Sequence, residues 1–312
     1  MLTIVAKRLA LSIPLLLLVS AVTFVLVALL PGDAAQVVAG KNATADQIAQ
    51  TRTQLGLDLP LWQQYTTWLG NAFTGDLGAS LVNRQPVAGQ LIGRLGPTLS
   101  LIIGATLVAA IVGVAFGVLG ARGGALGKIV DALAVVGLAV PTFWLGLILV
   151  VLLAVKVNAF PALGYVPLTQ SPSQWMASLV LPVVTLAVPA TAAIAKQTRD
   201  AVADALEQPF TRTLRAAGAT ETSILLRHAL KNAAVPVLTV LGLTFVGALS
   251  GAIAIESIFA LPGLGGTAVQ ATASGDIPLI QGVVLFFTVI VIAVNLVVDI
   301  AYGYFNPKVR VS

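Results

Sequence analysis

Residues 98–120 read TLSLIIGATLVAAIVGVAFGVLG, 23 consecutive positions without a charged side chain. A hydrocarbon core about 30 Å thick is crossed by about 20 apolar residues of helix. Helix is required there, because lipid offers no partner to a free backbone N–H or C=O. Five further charge-free runs of 21 to 24 residues repeat the pattern: Leu9–Leu30, Ala132–Val155, Trp175–Ala195, Ala233–Ile255 and Ile277–Val298. The spacing predicts an all-α integral membrane protein with six transmembrane helices. Pro141, Pro182 and Pro189 fall inside these runs and are expected to kink them.

Composition agrees. Of 312 residues, 58% are hydrophobic and only 9% charged, against about 25% charged in a soluble domain. There is no cysteine, which excludes disulfides, thiolate chemistry and cysteine-based metal sites. Lys7 and Arg8 precede the first run. Its 22 residues exceed the roughly 7–15 apolar residues of a signal peptide, so the run is expected to be a retained span.

Six spans place both termini on one side. With them lie the connections 121–131 and 196–232, and together these segments carry twelve Lys and Arg. The opposite connections, 31–97, 156–174 and 256–276, carry five, four of them in the long segment 31–97. The positive-inside rule makes the basic side cytoplasmic. Trp175, Tyr302 and Tyr304 stand at span ends, where aromatic belts form. The domains read as 1–30, N-terminus and first span; 31–97, an external domain; and 98–312, the core with its inner connection 196–232.

The external segment reads as folded. Thr44-Ala45-Asp46-Gln47 is a capping box and Gly56 can end the helix it starts. After Pro60, the residues Trp62, Tyr65, Trp68 and Leu69 share one helical face, and a turn follows at Gly75-Asp76-Leu77-Gly78. Two uses fit: a cap packed on the membrane surface, or a docking or gating surface for an external partner. The inner connection mixes Arg212, Arg215, Arg227, Lys231, Glu207 and Glu221 with Phe210, Leu214 and Ile224 to Leu226, and Gly218 divides it into two helical patterns. Such a helix suits a partner's groove or the anionic inner leaflet.

Chemistry-bearing motifs are missing from the sequence. A phosphate loop, G-x-x-x-x-G-K-[ST], fails at Gly127-Lys128, where Arg122 holds the first glycine position and Ile129 the hydroxyl position. Gly263-Leu264-Gly265-Gly266 lacks the last glycine of a dinucleotide fingerprint and reads as a tight turn. The single histidine, His228, reads as structural. Ion-coupled carriers place ionisable groups inside the bilayer, whereas Asp131, Glu256 and Asp299 stand at span edges. Glu256 either reaches interfacial water or faces a transport path. That pattern disfavours a secondary transporter, and the kinking prolines disfavour a scaffold without transport. Gly113-x-x-x-Gly117 and Gly247-x-x-x-Gly251 allow close helix approach, inside the chain or between subunits.

A set of ordered segments then resembles one family. They are Pro31-Gly32-Asp33, Leu55 to Leu61, Gln64-Tyr65, Gly75 to Ser80, Pro97-Thr98-Leu99, Pro141 to Leu145 and Leu181-Pro182. Arg212 to Gly218, His228 to Asn232, Pro236, Glu256 to Phe259, Pro262 to Gly265, Asp276-Ile277-Pro278 and Asn306 to Arg310 complete it. The chain resembles the permease subunits of dipeptide/oligopeptide ABC importers, bacterial inner-membrane proteins of the type I importer fold. The resemblance implies a peptide-importing permease with a second homologous permease, two ATP-binding subunits that hold ATP and Mg, and an extracytoplasmic solute-binding protein. No cofactor or metal is implied in the chain itself. Nickel chelates, glutathione and oligosaccharides are the solutes of related permeases.

It also implies that the inner connection is the coupling loop to the ATPase. The implied contacts are Phe210, Arg212, Leu214, Arg215, Ala216, Ala217, Gly218, Glu221 and Leu225. Pro209, Phe210, Leu214 and Ala217 depart from residues frequent at those places in the family. Expected docking residues for the binding protein are Trp62, Tyr65, Trp68, Asp76, Gly263, Gly265 and Asp276. Expected path residues are Pro141, Trp144 and Glu256.

Overall fold

The structure, a computed structural model, describes residues 2–29, 33–40 and 42–305. Leu30, Pro31, Gly32 and the Asn306–Arg310 motif lie outside the described residues. Among the described residues, five helices are long and apolar enough to span a bilayer: Arg8–Ala28 within α1 (Leu2–Ala28), α5 (Val87–Gly120), α8 (Pro172–Glu207), the stretch Glu221–Ile258, and Ile277–Gly303 within α13 (Ile277–Phe305). A bent pair, counted as one span, makes the sixth: α6 (Gly124–Ala139) and Thr142–Lys156, which contains α7 (Thr142–Leu149) and a π-helical end over Val150–Lys156.

The bend in that pair is 96°. Its cause is local. The residue before a proline is pushed out of the α region, and Val140 accordingly has ψ 123°, followed by Pro141 at ψ 126°. α8, by contrast, runs unbroken through Pro182 and Pro189, so neither proline ends it.

The inner connection is shorter than its sequence suggests. α8 continues to Glu207 and the next long helix starts at Glu221. Between them stands only α9 (Pro209–Ala216) and a turn. The second long helix opens with a single α-turn, α10 (Glu221–Ser223), passes through a π segment over Ile224–Ala229, and continues as α11 (Leu230–Ile258).

The chain forms two compact units. The first comprises Pro97–Leu261 with Met1–Ala6 and Ala293–Ser312. α8 is its centre: α6, α7 and α11 all pack on it. Glycine sets how closely α5 approaches α8. A Cβ at Gly113 would stand 2.9 Å from Ile194, and one at Gly117 only 2.4 Å from the Thr198 Cβ and 2.7 Å from the Ala195 carbonyl oxygen. The first glycine pair is thus an internal contact. In the second pair, Gly251 faces Leu186 of α8, while a Cβ at Gly247 would meet nothing within 4 Å. At one end of this unit Val118, Val202, Ala205, Leu225, Ala229 and Ala233 form a buried apolar cluster.

The second unit comprises Lys7–Gly96 and Pro262–Ile292. It holds α2 (Ala34–Ala39), α3 (Ala45–Gln54), α4 (Leu61–Phe73) and α12 (Leu264–Ser274). The capping box forms: the Thr44 side chain accepts from the Gln47 N–H, and the Gln47 side chain accepts from the Thr44 N–H. α3 ends as expected at Gly56 (φ +67°), where Gly56 N–H donates to Thr53 and Leu57 N–H to Arg52, satisfying two orphan carbonyls. Asp33 caps α2 and pairs with Arg52 at 2.6 Å, tying α2 to α3. The glycines after Pro262 are not a tight turn. Gly263 precedes α12, and Leu264 to Gly266 form its first turn.

Gly117→Ala is expected to destabilise the protein by about 1–3 kcal/mol, the usual cost of overpacking a close helix contact. Gly247→Ala, with open space around it, serves as the control and should lose nothing. Thermal unfolding of the two purified variants in detergent checks this; equal midpoints would refute the close-contact account.

Candidate coupling segment and ties between helices

α9 is short, and its boundaries follow from its sequence. Pro209 at the first helical position loses no hydrogen bond, because that N–H is an orphan in any helix. At the other end Gly218 adopts φ +81°, a conformation that residues with a Cβ rarely tolerate. Gly218 N–H donates to the Arg215 carbonyl and Ala219 N–H to that of Leu214, closing the helix. Thr220 then caps the next helix by accepting from Ser223 N–H.

Two contacts hold α9 in place, and a third anchors the helix that follows it. Thr211 is fully buried, and its hydroxyl donates within the turn formed by Leu206 and Gln208, at 2.8 and 2.7 Å. Leu225 is buried in the apolar cluster with Val118 and Val202. Arg215 grips Glu221 with two donors, Nε to Oε1 at 2.7 Å and Nη2 to Oε2 at 3.1 Å, across the turn at Gly218. The hydrogen bond from Arg215 holds the Glu221 carboxyl below its usual range, and the same bond raises the guanidinium. Glu221 also stands in the first turn of its helix, where the dipole favours a negative charge. The contribution of the pair is therefore present above the ordinary carboxylate value, about pH 4–5. It disappears only as pH falls through the lowered folded value.

The nine residues expected at the ATPase do not all face outward. Arg212, Arg215, Ala216, Ala217, Gly218 and Glu221 are exposed, and Phe210 and Leu214 are half-buried. Leu225, at 4% exposure, is turned inward and anchors the segment instead of meeting a partner. Phe210 lines a cavity of about 460 Å³ with Asp200, Asp204, Gln208, Asn232 and Pro236, between the ends of α8 and α11. Nearby, Asp131 of α6 accepts from Lys196 Nζ at 3.0 Å and Arg199 Nη1 at 2.7 Å, and both bases also reach Asp200. This ion cluster fastens α6, one half of the broken span, to α8.

Among the expected path residues, Pro141 sits at the break and Trp144 is exposed on α7. Of the two uses expected for Glu256, reaching interfacial water does not occur: it is 1% exposed, and Thr98 Oγ1 donates to its Oε1 at 2.6 Å. That bond ties α5 to α11. The apolar groove of about 330 Å³ between α5, α6 and α8 is lined by Val112, Phe116, Leu133 and Val188 among others, with none of the three.

The expected docking residues divide as well. Trp62 and Asp76 are exposed, and Asp76 accepts from Gly78 N–H at 2.8 Å to make its turn. Tyr65 and Trp68 are packed on Phe24 of α1, with ring centroids at 5.5 and 6.4 Å. Gly263, Gly265 and Asp276 are buried. The Asp276 carboxylate accepts from the Ser80 hydroxyl and from Leu81 N–H at 3.1 Å, so it positions the 79–86 turn and is not open to a partner. Arg94 Nη1 donates to Thr267 at 2.8 Å, a second tie inside that unit. The contacts of Thr98, Thr211, Ser80 and Asp131 left no signal in the sequence, because their partners are distant in the chain or are main-chain oxygens.

Comparison with known proteins follows this geometry. Residues 113–311 match the family described as binding-protein-dependent transport system inner membrane component, and residues 1–102 match its N-terminal region. A putative peptide transport system permease protein of Brucella abortus (strain 2308) is 41% identical over 312 residues, 99% of each chain. The glutathione transport system permease protein of Escherichia coli (strain K12) is 39% identical, again over 99% of each chain. In fold, the chain resembles the MetNI methionine ABC transporter in inward-facing conformations, with a TM-score of 0.56 at 19% identity, covering 70% of this chain and 97% of that one.

Charge reversal tests the Arg215–Glu221 pair. Arg215→Glu and Glu221→Arg should each lower uptake by the assembled transporter several-fold, and the double swap should restore most of it. Failure of the double variant to recover would mean that each side chain acts on a partner and not on the other.

Proposed function

Because the chain belongs to the binding-protein-dependent transport system inner membrane components, we propose that it is one permease subunit of an ATP-driven importer of small peptides, with α9 as its coupling helix. The observation that carries this reading is the exposed, rigidly braced α9 between two helices that extend from the membrane spans. A force applied to α9 passes along α8 and α11 only if the segment does not yield. The buried Thr211 and Leu225 and the Arg215–Glu221 pair supply that stiffness.

The energy comes from elsewhere. Two ATP-binding subunits hold ATP and Mg on the cytoplasmic side, the side of both termini and of α9, which the distribution of Lys and Arg supports. A second, homologous permease completes the path. Closure of the ATPase pair moves α9, and the helices tilt between inward- and outward-facing arrangements. An extracytoplasmic binding protein delivers solute at the other side, on the polar surface of the segment 31–97 that includes Asp76. The buried Thr98–Glu256 tie and, at the cytoplasmic ends of the helices, the Asp131–Lys196–Arg199 cluster keep α5, α6, α8 and α11 moving as packed groups. A second reading, import of glutathione, keeps every element of this mechanism, and the relative from Escherichia coli supports it. Glutathione is itself a modified tripeptide.

Gly218→Pro tests the assignment. Proline fixes φ near −65°, far from the +81° at this position, and removes the N–H that closes α9. The variant should insert and assemble with the other subunits, retain binding-protein recognition, and lose uptake. Uptake equal to the parent protein would refute α9 as the coupling helix. Affinity purification from native membranes tests the reading as a whole: a second permease and an ATP-binding subunit should accompany the chain. Recovery of the chain alone, active in vesicles without ATP, would overturn it.

A further inference from the structure

We propose that α4 is an interfacial membrane helix whose exposed edge, Trp62 and Phe73, lies in lipid at the outer leaflet. The leaflet follows from the orientation proposed above; the contact with lipid does not depend on it.

The sequence from Leu59 to Gly75 contains no charged residue, although Asp58 and Asp76 flank it. At 3.6 residues per turn, Leu61, Trp62, Tyr65, Trp68, Leu69, Ala72 and Phe73 fall on one side of α4. Gln63, Gln64, Thr66, Thr67 and Asn71 fall on the other. The helix is amphipathic, with an uncharged polar face.

Half of the apolar side is spent on α1. The Tyr65 hydroxyl lies 2.9 Å from Ser20 Oγ and donates to the Leu17 carbonyl at 3.2 Å. Phe24 meets Tyr65 edge-on, and Trp68 stacks on Tyr65 with centroids 6.2 Å apart. These α1 residues are inside the membrane span Arg8–Ala28. Ser20 is eight residues from the end of that span, about 12 Å along the axis at 1.5 Å per residue. A tyrosine that bonds at that depth holds its own helix at the boundary of headgroups and acyl chains, not in bulk water.

The other half is open. Trp62 is 65% and Phe73 78% exposed. They are eleven residues apart, three turns, and so occupy one edge of the helix. On α1 the side chains Val22, Val25, Leu26 and Leu29 are exposed too, as lipid-facing residues of a span are. They stand on the side of α1 away from Leu17, Ser20 and Phe24, so α4 packs on a helix that itself meets lipid. Tryptophan favours this zone, and an amphipathic helix lies in it with its apolar face buried. The polar face has no Lys or Arg, so the contact needs no anionic headgroup.

The chain has no cysteine, so a single introduced cysteine can be labelled without background in this subunit. Nitroxide probes at Trp62→Cys and Phe73→Cys report the open edge, and probes at Gln63→Cys and Asn71→Cys the polar face. The assembled transporter is placed in phosphatidylcholine nanodiscs, and each probe's accessibility to oxygen and to a water-soluble nickel chelate is measured. Positions 62 and 73 should favour oxygen several-fold more than 63 and 71. The result should hold when phosphatidylethanolamine and phosphatidylglycerol replace phosphatidylcholine, and when binding protein is added. Equal accessibility at 73 and 71 would overturn the proposal, as would loss of access to both reagents at 62 and 73, the sign of a protein partner. Neither outcome bears on α9, so the permease assignment stands or falls separately.

Discussion

Every backbone donor and acceptor within a bilayer needs a protein partner, and the architecture here follows from how that demand is met. Continuous helix meets it without help, which is why α5, α8 and α11 run for 29 to 36 residues. Each departure from α-helix then has to be held by something else. At Val140–Pro141 the missing proline N–H and the extended ψ angles turn the chain by 96°. The two halves of that span are fixed separately, α6 to α8 through Asp131, Lys196 and Arg199, and α7 to α8 through packing around Gly146 and Thr185. A proline inside α8 has no such effect, since its neighbours keep the helical path.

Small residues complete what the helices begin. Lipid gives no hydrophobic gain for helix association, so close packing and a few polar ties must supply it. Gly113 and Gly117 let α5 touch the α8 backbone at Thr191 and Ala195. Thr98 and Glu256 add one buried hydrogen bond between α5 and α11. The same economy appears at α9, where one left-handed glycine, one buried threonine and one exposed ion pair make eight residues into a firm element. Rigidity there is what a coupling helix requires, because a yielding segment would absorb the motion it is meant to pass on.

The segment between α1 and α5 shows how a single aromatic pattern admits two uses. Trp62, Tyr65 and Trp68 share a helical face, and a face of that kind serves a protein partner or a membrane equally well. Packing favours the membrane on the reading proposed above. Tyr65 and Trp68 are committed to Phe24, Ser20 and Leu17 of α1, which draws the helix to the membrane and leaves Trp62 and Phe73 as its open edge. Asp276 has a similar history: a motif residue that invites a functional role is buried and organises the 79–86 turn through Ser80 and Leu81.

The sequence by itself determined the spans, because 21 to 24 uncharged residues in lipid have only helix available to them. It also determined the capping box at Thr44 and the helix ends at Gly56 and Gly218, while of the three prolines expected to kink spans Pro141 alone stands at a break. These are local effects, set by dihedral preferences and hydrogen bonds within a few residues. The family was legible for a related reason, in short motifs spread over the whole chain. Only the tertiary structure decided which glycine pair lies inside the chain and which glycine, Gly247, stays open. It alone showed that Glu256 is tied to Thr98, that Leu225 points inward, that α8 continues to Glu207, and that Arg215 and Glu221 grip each other. The physical reason is the same in each case: these outcomes depend on which surfaces meet when helices pack, and residues 158 positions apart, like Thr98 and Glu256, leave no local trace of their contact.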